Sequence, residues 1–202
     1  MLHEGVVEDL RAKRTDKLLM EALIELTVQK GFAAVTVSDL VKYAGINRAT
    51  FYRHYEDKFA LLNHYARTVY DLLDAMPDAG SPMSAEVSGR PVAAGLVAIF
   101  EHIRTNARFY RVMLGPKGDS LFADKIRQYV KQRIWRSLPA GLQRDNSAVD
   151  LYLSYSSSAS MGAVLWWLDH EMPCSAEEMA AISYQVSMTL STMLEQPILM
   201  AK

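Results

Sequence analysis

Thr36 to Tyr55, TVSDLVKYAGINRATFYRHY, spell two short helices around a tight turn. Thr36 has the chemistry of an N-cap, and Asp39 three residues on completes a capping box with the shorter acid. Val37, Leu40, Val41 and Ala44 then recur at helical spacing, and Gly45 ends the segment. Ile46 supplies an apolar contact in the turn, and Asn47 is placed to cap the next helix. In that helix Phe51 points inward, while Arg48, Ala49, Thr50, Tyr52 and Arg53 are left on the outside. Two helices so arranged form a helix-turn-helix, and the polar outer rim of the second is a surface for a partner.

Working outward, the pattern stays helical. A helix from about Thr15 to Lys30 carries Leu19, Ala22, Leu23 and Leu26 on one face and stops at Gly31. After Asp57, the series Phe59, Leu62, Ala66, Val69, Leu73 and Met76 marks a longer helix ended by Pro77. Residues 77–91 are rich in Pro, Gly, Ser and Ala and read as a linker. Further helices are expected near 92–105, 107–114, 120–137, 148–171 and 175–195, and no strand pattern competes. The expected fold class is therefore all-α. Its divisions are a helix-turn-helix domain over 1–57, a connector helix over 58–76, the linker, and a larger helical domain over 92–202.

A chain of 202 residues, half of them apolar, is ample for a buried core. One cysteine, Cys174, cannot form an internal disulfide, and no stretch has the apolar length of a secretory signal or membrane span, so the expected compartment is the cytoplasm. The net charge of -1 argues at first against nucleic acid. Its distribution does not. Between Leu10 and Thr68, Arg11, Lys13, Arg14, Lys17, Lys30, Lys42, Arg48, Arg53, Lys58 and Arg67 outnumber Asp16, Glu21, Glu25, Asp39, Glu56 and Asp57. From Met76 onward the two signs balance.

The run Thr50-Phe51-Tyr52-Arg53-His54-Tyr55 resembles the T-F-Y-x-H-F/Y ending of the helix-turn-helix in the TetR family of bacterial transcription regulators. Ala49 departs from the glycine most common there; both are small enough for close approach to a phosphate. Phe109 to Gly115, Trp166-Trp167-Leu168 and Met172 to Met179 are similar to one branch of that family's regulatory domains, which includes regulators of dihydroxyacetone kinase. The resemblance implies a dimeric regulator, a repressor of a palindromic operator, released when a small-molecule effector binds the carboxyl domain, and it assigns ligand sensing and dimerisation to residues 92–202. The branch implies an alternative, in which a partner protein controls the same DNA-binding module, as in an activator.

A short helix enters the major groove with its N-terminal residues nearest the base edges, so Arg48 is the first choice for a base contact. Its fork fits guanine O6 and N7, or a phosphate alone. Thr50 can meet a phosphate or a thymine methyl. Asn47, Ala49 and Arg53 complete the rim, and Tyr52 and His54 match family positions that touch the backbone. Lys58, in the first turn of the next helix, is a further phosphate candidate, as are Thr36 and Ser38 where their helix crosses the backbone. Arg11, Lys13 and Arg14 form either a minor-groove arm or a frayed basic tail. Tyr43, Tyr55 and Phe32 read as core or interface.

In the carboxyl part, Phe100, His102, Tyr110, Met113, Tyr129, Tyr152, Tyr155 and Trp166 are candidates either to line an effector cavity or to be plain core. Ser156, Ser160 and Ala163 make a small-residue stripe, and Ile182, Val186, Leu190, Met193 and Leu194 an apolar face; either both helices are interior to the monomer or, as the resemblance implies, they pair with a second copy as a four-helix bundle. No catalytic set is found, so an enzyme is not expected. No cofactor or metal is expected either: Asp169, His170 and Glu171 point about 100° apart on a helix and cannot chelate together.

Overall fold

The computed structural model describes residues 2–75, 85–87, 90–92, 94–138, 141 and 147–192. Helix α1 spans Leu2–Lys30, α2 Val37–Ala44, α3 Arg48–His54 and α4 Lys58–Asp74. A single 3-10 turn, Phe32–Ala34, joins α1 to α2. Then come β1 (Ala85–Val87), β2 (Arg90–Val92), α5 (Ala94–Thr105), α6 (Ala107–Met113), α7 (Ser120–Ser137), α8 (Ser147–Asp169) and α9 (Ala176–Thr192). The fold is helical, as expected, with one exception. β1 and β2 pair antiparallel, with Ala85 opposite Val92 and Val87 opposite Arg90, inside and just past the stretch read as a plain linker. Three-residue strands are too short to show an alternation in sequence.

A second difference is the length of α1. Arg11, Lys13 and Arg14 lie within this helix, not on an arm before it. Three basic residues in four positions carry ordinary helix propensity, and no breaker stands between Leu10 and Thr15. Met76 and Pro77, at the expected end of the connector, lie outside the described residues, as do Met193 and Leu194.

The chain forms two compact units, one of residues 1–67 with 108–122, the other of residues 68–107 with 123–202. The first is built on Leu19, Leu23, Leu40, Phe51, Leu61, Leu62, Phe109, Met113 and Phe122, all essentially solvent-free. Burying each such side chain contributes about 1.5–3 kcal/mol. Phe109 of α6 meets the edge of Phe122 at 5.9 Å and the ring of Tyr65 at 5.8 Å. The loop after α6 also ties to the end of α1: the Phe32 amide donates to the Lys117 carbonyl at 2.9 Å, and Lys117 Nζ donates to the Val28 carbonyl at 2.8 Å. Gly118 permits that turn, since a Cβ there would lie 2.0 Å from the Met113 carbonyl oxygen.

In the second unit α9 packs against α5 and α8, and the hairpin lies on α9. Trp167 is fully buried, edge-on to Phe100 at 5.4 Å, and its indole N–H donates to the Cys174 carbonyl at 3.0 Å. Leu138, Val149 and Leu153 form a smaller cluster with Ile134, Trp135 and Tyr152 around it. α7 grips the end of α4. Tyr129 stacks on Tyr70 at 4.5 Å and donates its hydroxyl to Asp74, Arg133 Nε donates to the Leu73 carbonyl at 2.9 Å, and Arg136 bridges to Asp74 at 3.1 Å. Residues 129, 133 and 136 share one helical face, which is why all three reach the same place.

Candidate nucleic-acid interface

The capping box is complete. Asp39 N–H donates to Thr36 Oγ1 at 3.2 Å, and the Thr36 amide donates to Asp39 Oδ2 at 2.9 Å. Lys30 Nζ donates to the same carboxylate at 2.7 Å, and the Thr36 hydroxyl at 2.6 Å. Lys30 first, then Thr36, hold the Asp39 carboxyl well below its ordinary range. The Thr36 hydroxyl hydrogen is thereby committed to Asp39, so capping is the role this geometry gives it. Leu40, Val41 and Ala44 face the core. Gly45 then adopts φ 64°, ψ 32°, the left-handed conformation that glycine enters without Cβ strain.

Asn47 begins α3 by accepting the Ala49 N–H at 2.8 Å. Phe51 is wholly buried and fixes the helix in rotation, with Tyr55 behind it at 5.9 Å. Tyr55 donates to Asp16 Oδ1 at 2.8 Å, so α1 holds the exit of the reading helix; burial first, and Asp16 second, push that phenol above its usual range. Asn47, Arg48, Ala49, Tyr52 and Arg53 are exposed, and Thr50 and His54 are half-buried at the margins. The Arg48 guanidinium lies 5.8 Å from the Tyr52 ring centroid, one turn on. Among the described residues, neither Arg48 nor Arg53 makes a hydrogen bond or ion pair within the chain. The seven-residue α3 is about 10 Å long, commensurate with a major groove about 12 Å wide.

Three surface residues of α2 join this rim: Ser38, Lys42 and Tyr43 are exposed beside it. Ser38 was expected. Lys42 was counted only as charge, and Tyr43, expected in core or interface, is 48% exposed. The burial of Leu40, Val41 and Ala44 leaves positions 42 and 43 outward, a signal already present in the helical spacing.

Lys58, expected at a phosphate, is engaged within the chain. Its Nζ donates to the carbonyls of Phe32, Ala33 and Val35 at 2.8, 3.0 and 2.8 Å, which uses every hydrogen an ammonium has. The first turn of α4 is capped as well, by Asp57 Oδ1 on the Ala60 amide at 2.7 Å.

The candidate effector residues divide between the two units. Tyr110 and Met113 are buried in the unit that holds the helix-turn-helix, and the other six belong to the second unit. Phe100 is buried. His102 and Tyr152 are half-buried, and burial pushes the pKa of the His102 imidazole down, while Asn106 Nδ2 donates to the His102 carbonyl at 2.9 Å. The Tyr129 hydroxyl is taken by Asp74. Tyr155 and Trp166 are 61% and 49% exposed and line no interior, and Trp166 stacks on His170 at 4.8 Å. The small-residue stripe also shifts: Ser156 is buried, and the outward face of α8 is Leu151, Tyr155, Ser158, Ala159, Gly162 and Trp166. Ile182 and Val186 of α9 are exposed as expected.

Residues 19–65 match bacterial regulatory proteins of the tetR family, and residues 92–189 match a transcriptional regulator C-terminal region of the same class. An uncharacterized HTH-type transcriptional regulator of Bacillus subtilis, YxbF, is 36% identical over 76 residues, 37% of this chain and 20% of that protein. A second, Mb2936c of Mycobacterium bovis, is 24% identical over 126 residues, 60% of this chain and 63% of that one. The chain thus matches less than two thirds of the length of these relatives. Among solved structures, a TetR transcriptional regulator from Streptococcus agalactiae superposes with a TM-score of 0.55 at 20% identity, over 91% of this chain and 98% of that one. The dihydroxyacetone kinase operon activator DhaS does so at 0.54 and 14%, over 90% and 96%. At these identities the likeness is one of fold.

Proposed function

This chain belongs to the tetR family of bacterial regulatory proteins, a family of regulators and not of enzymes, and on that premise we propose that it works as a cytoplasmic homodimeric repressor. Each protomer places α3 in the major groove of one half of a palindromic operator, and a small-molecule effector in the second unit releases the DNA. The observation that carries the reading is the rim of α3: its inner residue is locked into the core while Arg48 and Arg53 stand outward with no hydrogen bond or ion pair in the chain among the described residues. Arg48 reads a base edge, Arg53, Tyr52, His54, Ser38 and Tyr43 meet phosphates, and Asn47, Ala49 and Thr50 allow close approach. Dimerisation runs through α8 and α9, whose outward faces present Leu151, Tyr155, Ala159, Gly162, Trp166, Ile182 and Val186 to the second copy. His102 and Tyr152 are the polar groups best placed to meet an effector.

Selection of bound duplexes from a random pool tests this. It should return inverted half-sites about one helical turn apart, and light scattering should give twice 22.7 kDa. Enrichment of no sequence, or a monomer at micromolar concentration, would refute it. A second reading replaces the metabolite by a partner protein, with activation as the outcome. It is favoured by the loss of Tyr129, Tyr155 and Trp166 from the candidate cavity set, and by a fold shared with a kinase operon activator. Binding of no small molecule to a protein that still reads its operator would select it.

A further inference from the structure

We propose that Lys58 is a positioning residue of the DNA-reading unit: its ammonium sits in a cage of three main-chain carbonyls between α1 and α2, fixes where α2 and α3 stand, and does not touch DNA. The inference rests on the reading of α3 as the groove helix. The 3-10 turn Phe32–Ala34 is one turn long, so it leaves carbonyls without helical partners. The Phe32 carbonyl accepts the Val35 N–H at 3.1 Å, but the Thr36 N–H that an extended turn would give to Ala33 is diverted to Asp39. The Ala33 and Val35 carbonyls fall between two helices and need a donor from elsewhere.

Lys58 supplies it from the first residue of α4. Three N–H groups meet three oxygens at 2.8–3.0 Å, the number and spacing a tetrahedral ammonium requires. The rings close the cage: the Phe32 centroid lies 4.6 Å and the Phe59 centroid 5.4 Å from Nζ, and the two rings meet edge to face at 5.5 Å. Phe32 is buried, so the cage is anchored in the core. The caged segment leads directly into Thr36, the N-cap of α2. Its position therefore sets that of the capping box, of Gly45 and of Asn47 in succession. A lysine bound in this way stabilises the reading unit through one specific site, and a phosphate would have to compete with three short hydrogen bonds to recruit it.

Reductive methylation of the wild-type protein, free and with excess random-sequence duplex, separates the two roles. Lys58 should react about tenfold more slowly than Lys42 in the free protein, because its hydrogens are bonded, and DNA should not change its rate. A Lys58 that reacts freely alone and is protected by duplex would overturn the proposal. If duplex protects no lysine and binds with no salt dependence, the groove reading fails, while the free-protein rate still judges the cage. Lys58→Met should lower the melting temperature by about 5 °C and weaken binding, yet leave the slope of log affinity against log salt unchanged. A slope shallower by about one, whatever the melting temperature, would show a lost phosphate contact and sink the cage role. Lys58→Arg should not rescue the melting temperature, since a planar fork cannot fill a tetrahedral seat; full rescue would overturn the proposal too.

Discussion

The two units of this protein solve burial differently. Among the described residues, the unit of residues 1–67 and 108–122 holds nine of the eleven large side chains that are fully enclosed, whereas the other, although larger, holds Trp167 and Leu168. Of the eleven exposed large apolar residues among those described, six lie on α8 and α9 of that second unit. The reading unit is thus finished as a single copy. The second unit leaves apolar side chains of α8 and α9 exposed, and the difference teaches which part of the molecule the proposed dimer would complete.

The contrast breaks most easily at Gly162. A Cβ there meets nothing within 4 Å in the protomer, so Gly162→Glu should fold normally but place a charge in each copy of the proposed interface. Roughly 3 kcal/mol per copy is expected, enough to yield a monomer at micromolar concentration by light scattering. An intact dimer would mean that α8 faces water. Next comes Phe122→Ala, expected to cost about 3–5 kcal/mol in denaturant unfolding and to weaken DNA binding with it, because this late residue belongs to the core under the helix-turn-helix. A loss confined to the second unit would dissolve the division drawn here.

Arg48→Ala should cost about 1–3 kcal/mol on a selected duplex and relax one base step, whereas Arg53→Ala should weaken all sequences alike and flatten the salt slope by about one. Competition titrations read both. The smallest effect concerns acid. Asp39 is held below its ordinary value, so its contribution is fully present above the usual carboxylate range and fades as pH falls through and beneath that range. Asp39→Asn should therefore melt earlier than wild type near neutrality, and the gap should narrow in acid; a constant gap would deny the capping carboxylate its role.

Much of the reading unit is legible in sequence because its rules are short-range. Thr36 with Asp39, Gly45, and Asn47 with Phe51 each act within four residues, and their caps, left-handed turn and buried ring appear in place. The carbonyl partners of Lys58 were not legible because they lie 23–26 residues away, and nothing local distinguishes a caged ammonium from a solvated one. On α8, apolar and small residues surround the whole circumference, so spacing could not say whether Ser156 or Ala159 faces outward. Only packing against the neighbouring helices decides, and it puts Ser156 inside. The hairpin escaped for a third reason, since pairing between strands three residues long depends on what they lie against.

The return of residues 108–122 to the first unit has a consequence for how the protein is made. A ribosome that has released the first 67 residues has delivered every base-reading group, but not Phe109, Met113 or Phe122, which complete the hydrophobic floor beneath them. Synthesis must run on from residue 67 to Phe122 before that floor can close. A nascent chain halted in between would display the recognition helix on an unfinished base, so competence to grip an operator should arrive late in translation and abruptly.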